Sequence, residues 1–173
     1  MLNAIKVIIG LGNPGHRYKN TRHNIGFLIL DALAEKYQAQ WHIKDNREIA
    51  YIQINGKSLL LIKPQTFMNS SGNVIPALIK DGIKPDNILV IHDELEKPLG
   101  KIEFKTGGSH RGHNGLRSII EKCGADFHRL RFGIGRPEHK EDVPEYVLSN
   151  FEISAAEIAL MIDKVVTMIE SII

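Results

Sequence analysis

Two apolar runs, IAYIQI (49–54) and SLLLI (58–62), flank Asn55-Gly56. Asn-Gly accepts positive φ at both centres of a two-residue turn whose twist matches the flanking strands, so the stretch predicts a tight antiparallel hairpin. The rest of the chain alternates between strand and helix patterns. IKVIIGLG is short, β-branched and ended by glycine, the mark of a buried strand, and NILVI (87–91) reads the same way. GKIEFK (100–105) and RLRFGIG (129–135) alternate like half-exposed strands. A helical period begins at Ile25 and continues through Leu28, Ile29, Ala32 and Leu33. NVIPALIKDG predicts a short helix with Pro76 near its start and Gly82 at its close. Leu116, Ile119, Ile120 and Cys123 share one face of another helix, closed by Gly124. Ser154, with Glu157 three residues on, opens a last amphipathic helix as a capping box. Strands mixed with helices, plus a hairpin that forces one antiparallel pair, predict an α/β fold with a mixed twisted sheet flanked by helices.

The 173 residues suffice for one core and not for two, and no repeat, low-complexity run or linker divides them, so residues 1–173 read as a single domain. No apolar run approaches the roughly 18–20 residues of a membrane span, and no basic segment precedes the first apolar run as in a signal peptide. The lone Cys123 excludes an internal disulfide, which suits a cytoplasmic protein. Its place on an apolar helix face marks it as core, not nucleophile. Net charge is +2 but uneven: residues 101–140 hold nine Lys+Arg against four Asp+Glu, whereas residues 141–173 hold one against seven. The basic block suits a phosphate backbone or a solvated face.

Gly10, Gly12 and Gly15 in GLGNPG fit the G-x-G-x-x-G spacing of a dinucleotide turn. That site needs a helix starting at the turn and an acidic residue about 20 positions on, at the end of a second strand. Here polar residues separate Gly15 from the first helical period, and Asp31 and Glu35 fall inside the helix. The glycines therefore read as a tight chain reversal that exposes Asn13. NSSGN is not a G-x-S-x-G elbow, and His110-x-x-His113 lacks the helical context of a metal motif.

Four polar stretches follow strands or open helices: 13–24, 63–72, 92–100 and 105–115. Within and around them stand GLGNPG..Y..TRHNIG, KPQTFMN.SG, HDELEKPLG, K.GG..RGHNGLRSI and FHRLRFGIGRP. Together, in this order and spacing, they resemble the bacterial-type peptidyl-tRNA hydrolase family over nearly the whole chain. The resemblance implies a largely monomeric, single-domain enzyme that cleaves the ester between a peptide and the 3′-terminal ribose of tRNA, with no metal or cofactor.

The resemblance also carries roles onto residues. His23 becomes the base that activates water, and Asp93 orients its imidazole and stabilises the imidazolium. Asn13 discriminates N-blocked peptidyl from free aminoacyl substrates, while Asn69 and Asn114 hold the peptide or the 3′ end. Tyr18 and Phe67 become aromatic contacts to a base or sugar. Lys105 and Arg131 clamp the tRNA 5′ phosphate. Met68, beside Phe67, reads equally as core or as substrate contact. Two features depart from the pattern: Arg111 stands where many members have glycine, and the chain ends at Ile173 without the further helix many members carry. Arg111 is strained if its position needs φ > 0, and otherwise adds charge near the RNA path. Two other classes remain open, a non-catalytic RNA-binding relative and a nucleotide-dependent enzyme; the joint presence of His23, Asp93 and Asn13 favours the esterase.

Overall fold

In the computed structural model, which describes Leu2 and residues 4–173, the Asn55-Gly56 turn joins β3 (Arg47–Ile54) to β4 (Lys57–Pro64). The two strands pair antiparallel from Arg47 opposite Pro64 to Ile54 opposite Lys57. Asn55 and Gly56 have φ of 51° and 79°, as a two-residue turn of this hand requires. A short edge strand, β2 (His42–Lys44), pairs antiparallel with β3. Its three residues are exposed, so it has no apolar pattern by which the sequence could announce it.

β1 (Val7–Gly10) lies parallel to both β4 and β5 (Ile88–Glu94). β5 is parallel to β7 (His128–Gly133), and β6 (Ile102–Thr106) closes the far edge antiparallel to β7. Among the described residues this makes one seven-stranded mixed sheet in the order β2-β3-β4-β1-β5-β7-β6, as the sequence predicts. Because side chains alternate along a strand, β1 serves two cores. Ile8 packs with α1 (Ile25–Lys36) and α5 (Ala155–Ile172) on one face. Val7 and Ile9 pack with α2 (Ile75–Lys80) and α3 (Asn114–Cys123) on the other. Ile8, Ile29 and Val165 are fully buried, each worth roughly 1.5–3 kcal/mol over exposure. The capping box at α5 forms as read, with Glu157 N–H donating to Ser154 Oγ at 3.2 Å and Ser154 N–H to Glu157 Oε2 at 3.0 Å.

Of the glycines of GLGNPG, Gly15 fits the chain reversal, whereas Gly10 does something else. Only Gly15 has positive φ (103°). A Cβ on Gly10 would sit 2.4 Å from Gly26 O, and one on Gly26 would sit 2.4 Å from Leu11 N. Gly10 and Gly26 therefore let the first turn of α1 cross the end of β1 backbone to backbone, which carries the preceding residues 22–24 onto the sheet edge. β5 also runs further than NILVI, so His92, Asp93 and Glu94 are strand residues and not a loop. The parallel strands β4, β1, β5 and β7 all end at this one edge, where α/β sheets place ligands.

Candidate active site

Asp93 leaves the end of β5 almost fully buried. An isolated carboxylate there would be costly, and two histidines compensate it. His23 Nδ1–H donates to Asp93 Oδ2 at 2.8 Å and lies 3.0 Å from Oδ1. His113 Nε2–H donates to Oδ1 at 2.8 Å. The rings of His23 and His113 are 4.9 Å apart.

The tautomers follow from the partners. His113 caps α3: its Nδ1 accepts from Gly115 N–H at 3.1 Å and Leu116 N–H at 3.3 Å. Its proton is therefore on Nε2, facing Asp93. His23 turns Nδ1–H to the carboxylate, which leaves Nε2 as a lone pair with no partner among the described residues. Burial lowers the His23 pKa, but the charge of Asp93 and its hydrogen bond outweigh that, and the net shift is upward. Burial would raise the Asp93 pKa; His23 and His113 instead pull it far below the usual carboxylate range. His92, behind them, is lowered to about 3, first by burial and then by His113. It is neutral, with Nδ1–H donating to Asp93 O at 2.8 Å.

His23 stands in a single 3-10 turn, Arg22–Asn24, and both neighbours fix that turn. Arg22 is buried, donates to Ser149 Oγ at 2.9 Å and Tyr146 O at 3.2 Å, and stacks 4.0 Å from the Tyr146 ring. Asn24 ties the turn to the glycine stretch: Asn13 N–H donates to Asn24 Oδ1 at 2.8 Å, and Asn24 Nδ2 donates to Asn13 O at 2.9 Å. Asn13 Oδ1 in turn accepts from Met68 N–H at 2.7 Å, which leaves its Nδ2 as a donor with no partner among the described residues. Met68 is core, and its sulfur lies where a Cβ on Gly115 would go, at 2.5 Å. Segments 13, 24, 68 and 115 are thus packed together, and exposed Asn69 and Asn114 sit beside those contacts.

A cleft of about 360 Å³ is lined by His23, Asp93, Asn114, Lys105 and Arg131. Asn13 lines a neighbouring depression, and Tyr18, Phe67 and Asn69 are outside both. Tyr18 and Phe67 meet edge to face at 6.3 Å, with Phe67 62% exposed. Arg131 differs from a free phosphate clamp. It is buried, and its guanidinium donates to Glu94 at 2.9 Å and Glu103 at 2.6 Å. His23, Asp93 and His113 each bring one donor atom within 4.8 Å of the others, enough to hold a metal ion; the carboxylate of Asp93 bonds both imidazoles directly. Cys123 is half-buried, with its thiol pKa raised by burial. Sequence reasoning missed Arg22, Asn24 and His113. His113 was visible only as half of an unconvincing H-x-x-H.

The family model described as peptidyl-tRNA hydrolase matches residues 7–173. A peptidyl-tRNA hydrolase of Rickettsia bellii (strain RML369-C) is 47% identical over 92% of this chain and 88% of its own. That of Dichelobacter nodosus is 49% identical over 83% of this chain and 78% of its own. The crystal structure of peptidyl-tRNA hydrolase from Acinetobacter baumannii superposes with a TM-score of 0.88 at 40% identity, covering 99% of this chain and 87% of the other. Family match, sequence relatives and fold agree over almost all of the sequence, and the chain belongs to the peptidyl-tRNA hydrolase family.

Proposed function

We propose that the chain hydrolyses the ester between a peptide and the 3′-terminal ribose of tRNA, with His23 as general base. The observation that carries this mechanism is the buried Asp93 bonded to His23 Nδ1, which leaves Nε2 unpartnered in the cleft. Nε2 takes a proton from water as the water attacks the ester carbonyl. The imidazolium that forms is stabilised by Asp93, and His113 holds the carboxylate from its other side. The tetrahedral intermediate then collapses, the 3′ oxygen of ribose leaves, and the proton on Nε2 passes to it. The products are a free peptide and a tRNA ready for reuse. An ester is activated enough for this to proceed without a covalent acyl-enzyme, and no metal or cofactor enters the reading. A positioned base of this kind contributes about 10²–10⁴-fold.

Asn13 Nδ2 donates to the peptide side of the substrate and reads the N-blocked amide that a free aminoacyl group lacks. Asn69 and Asn114 hold the peptide backbone or the terminal nucleotide, and Tyr18 with Phe67 offers a stacking surface. Lys105 takes the 5′ phosphate. Arg131 backs it, in competition with Glu94 and Glu103. Among the described residues no helix is long and apolar enough to cross a membrane. We read residues 1–173 as one domain acting as a cytoplasmic monomer. A non-catalytic RNA binder would have no use for an imidazole poised on a buried carboxylate. The direct test is turnover of N-acetyl-aminoacyl-tRNA beside unblocked aminoacyl-tRNA. Selective hydrolysis of the blocked ester is expected, and an inactive wild type would refute the reading.

A further inference from the structure

Among the described residues four non-glycines have positive φ: Gln38, Asp45, Asn55 and Arg111. Asp45 and Asn55 occupy hairpin turns, where short polar side chains accept this backbone. Gln38 follows the end of α1, where helices commonly use it. Arg111, with φ of 46°, is also in a turn, closed by His113 N–H donating to His110 O at 2.9 Å, but it is a long side chain that does not favour this backbone. Its loop neighbours Gly107, Gly108 and Gly112 share the positive φ, at 70°, 102° and 82°, and glycine at 111 would adopt it without steric cost. The loop nevertheless holds an arginine there. Arg111 N–H donates to Ser109 Oγ at 3.3 Å, and Gly112 N–H to His110 Nδ1 at 3.0 Å. Buried Arg129 donates from below to Gly108 O at 2.5 Å and Ser109 O at 2.8 Å.

The charges around the cleft say what an arginine could do there. Six cations line it: Lys105, Arg111, Arg129, Arg131, Arg136 and Lys140. Arg131 is neutralised by Glu94 and Glu103, Arg136 by Glu96, and Arg129 is spent on loop carbonyls. Among the described residues, Lys105, Arg111 and Lys140 have no carboxylate partner. Of these three, Arg111 alone is a guanidinium, with donors in a fork that fits two phosphate oxygens. It is exposed and only two residues before His113, whose Nε2 is bonded to Asp93. The scissile ester hangs on the 3′ oxygen of the last ribose. The phosphodiester on the 5′ side of that same ribose is the anion nearest the reacting bond.

We propose that Arg111 is a phosphate-binding residue that grips the RNA phosphodiester next to the scissile ester. This rests on the esterase reading above. It gives two cations of one cleft different contacts: Lys105 the 5′ phosphate, and Arg111 the 3′ end. Backbone strain at 111 is the cost of placing a charge beside His23, Asp93 and His113.

The test compares three N-acetyl-aminoacyl esters, of adenosine (no phosphate), of the CCA trinucleotide and of whole tRNA, with wild type, Arg111→Gly and Arg111→Lys. Arg111→Gly relieves the backbone, so unfolding does not confuse the result; its Tm is expected to rise by about 2–4 °C. The ratio of kcat/KM on the CCA ester to that on the adenosine ester is expected to fall about tenfold in Arg111→Gly. Most of that loss should lie in KM, and Arg111→Lys should recover part of it. The slope of log kcat/KM against log salt on the CCA ester should become shallower by about 0.7. An unchanged ratio with an unchanged slope, in an enzyme whose wild type turns over the esters, overturns the role of Arg111 alone. A wild type inactive on all three esters removes the esterase reading and this inference with it.

Discussion

Asp93→Asn replaces a buried carboxylate, acceptor to two imidazole N–H groups, with an amide of the same shape. The amide oxygen can still accept from one histidine, but its Nδ2 must face the other. One charge-assisted hydrogen bond is lost, at about 1.5–3 kcal/mol, and Tm should fall by roughly 2–4 °C for each kcal/mol. If Nδ2 faces His23, the imidazole turns a lone pair to it and carries its proton on Nε2, where the base is needed. The expected loss of kcat is about 10²–10⁴-fold. The pH profile separates this from simple destabilisation. In wild type the His23 pKa is raised, because burial is outweighed by Asp93, so activity should climb with pH through a value above 6.5 and then level. Asparagine removes both upward causes and leaves burial, while the neighbouring His113 ring adds no negative charge. The acid limb must therefore move to lower pH as the plateau falls. Stability follows both groups. The raised His23 pKa favours wild type below the ordinary 6.5, and that advantage is lost as pH rises, so the gap over the variant widens on going from pH 9 to 5. The Asp93 pKa is depressed in the fold from its ordinary 3.8, so its share is full above that value and is lost only on further acidification. The assay is kcat/KM on N-acetyl-aminoacyl-tRNA from pH 5 to 9, with thermal melts over the same range and on down to pH 2. An acid limb that stays in place would refute the assignment of Asp93 as the group that sets the basicity of His23.

Three further outcomes are expected. Gly72→Ala would bring a Cβ to 2.2 Å from Ser118 O; the overpacking should cost about 1–3 kcal/mol, read as a lower urea midpoint, and a neutral substitution would contradict the close packing of α3 on residues 68–74. Arg131→Ala leaves the buried Glu94 carboxylate unpaired and should cost about 3–5 kcal/mol in urea unfolding. A change under about 0.5 kcal/mol, the range of an ordinary surface substitution, would show that the ion pair is not structural. Treatment with 1,10-phenanthroline should leave turnover unchanged if His23, Asp93 and His113 act through hydrogen bonds, whereas inhibition reversed by added zinc would assign those atoms to a metal.

The hairpin, the buried strands and the capping box were legible because each is written in neighbouring residues. Asn55-Gly56 needs no distant partner, and Ser154 finds Glu157 one turn away. β2 escaped because its exposed residues carry no alternation; only pairing with β3 makes it a strand. His23 and Asp93 were legible through motifs, but the link between them spans 70 positions, and that from His113 to Asp93 spans 20. His113 was hidden because one residue does two jobs, capping α3 and holding Asp93, and neither leaves a pattern in composition. The basic block at 101–140 was visible as charge, yet it takes the fold to show that Arg131 and Arg136 are neutralised while Lys105 and Arg111 have no carboxylate partner among the described residues. GLGNPG looked like a phosphate turn because glycines at that spacing serve any close backbone approach. Here the approaching group is the backbone at Gly26.

The central claim is that His23 Nε2 takes the proton from the attacking water. Single-turnover hydrolysis of N-acetyl-aminoacyl-tRNA by wild type and by a folded His23→Ala measures it most directly. A loss of at least about 10²-fold is expected; His23→Ala hydrolysing the ester at the wild-type rate would contradict the account.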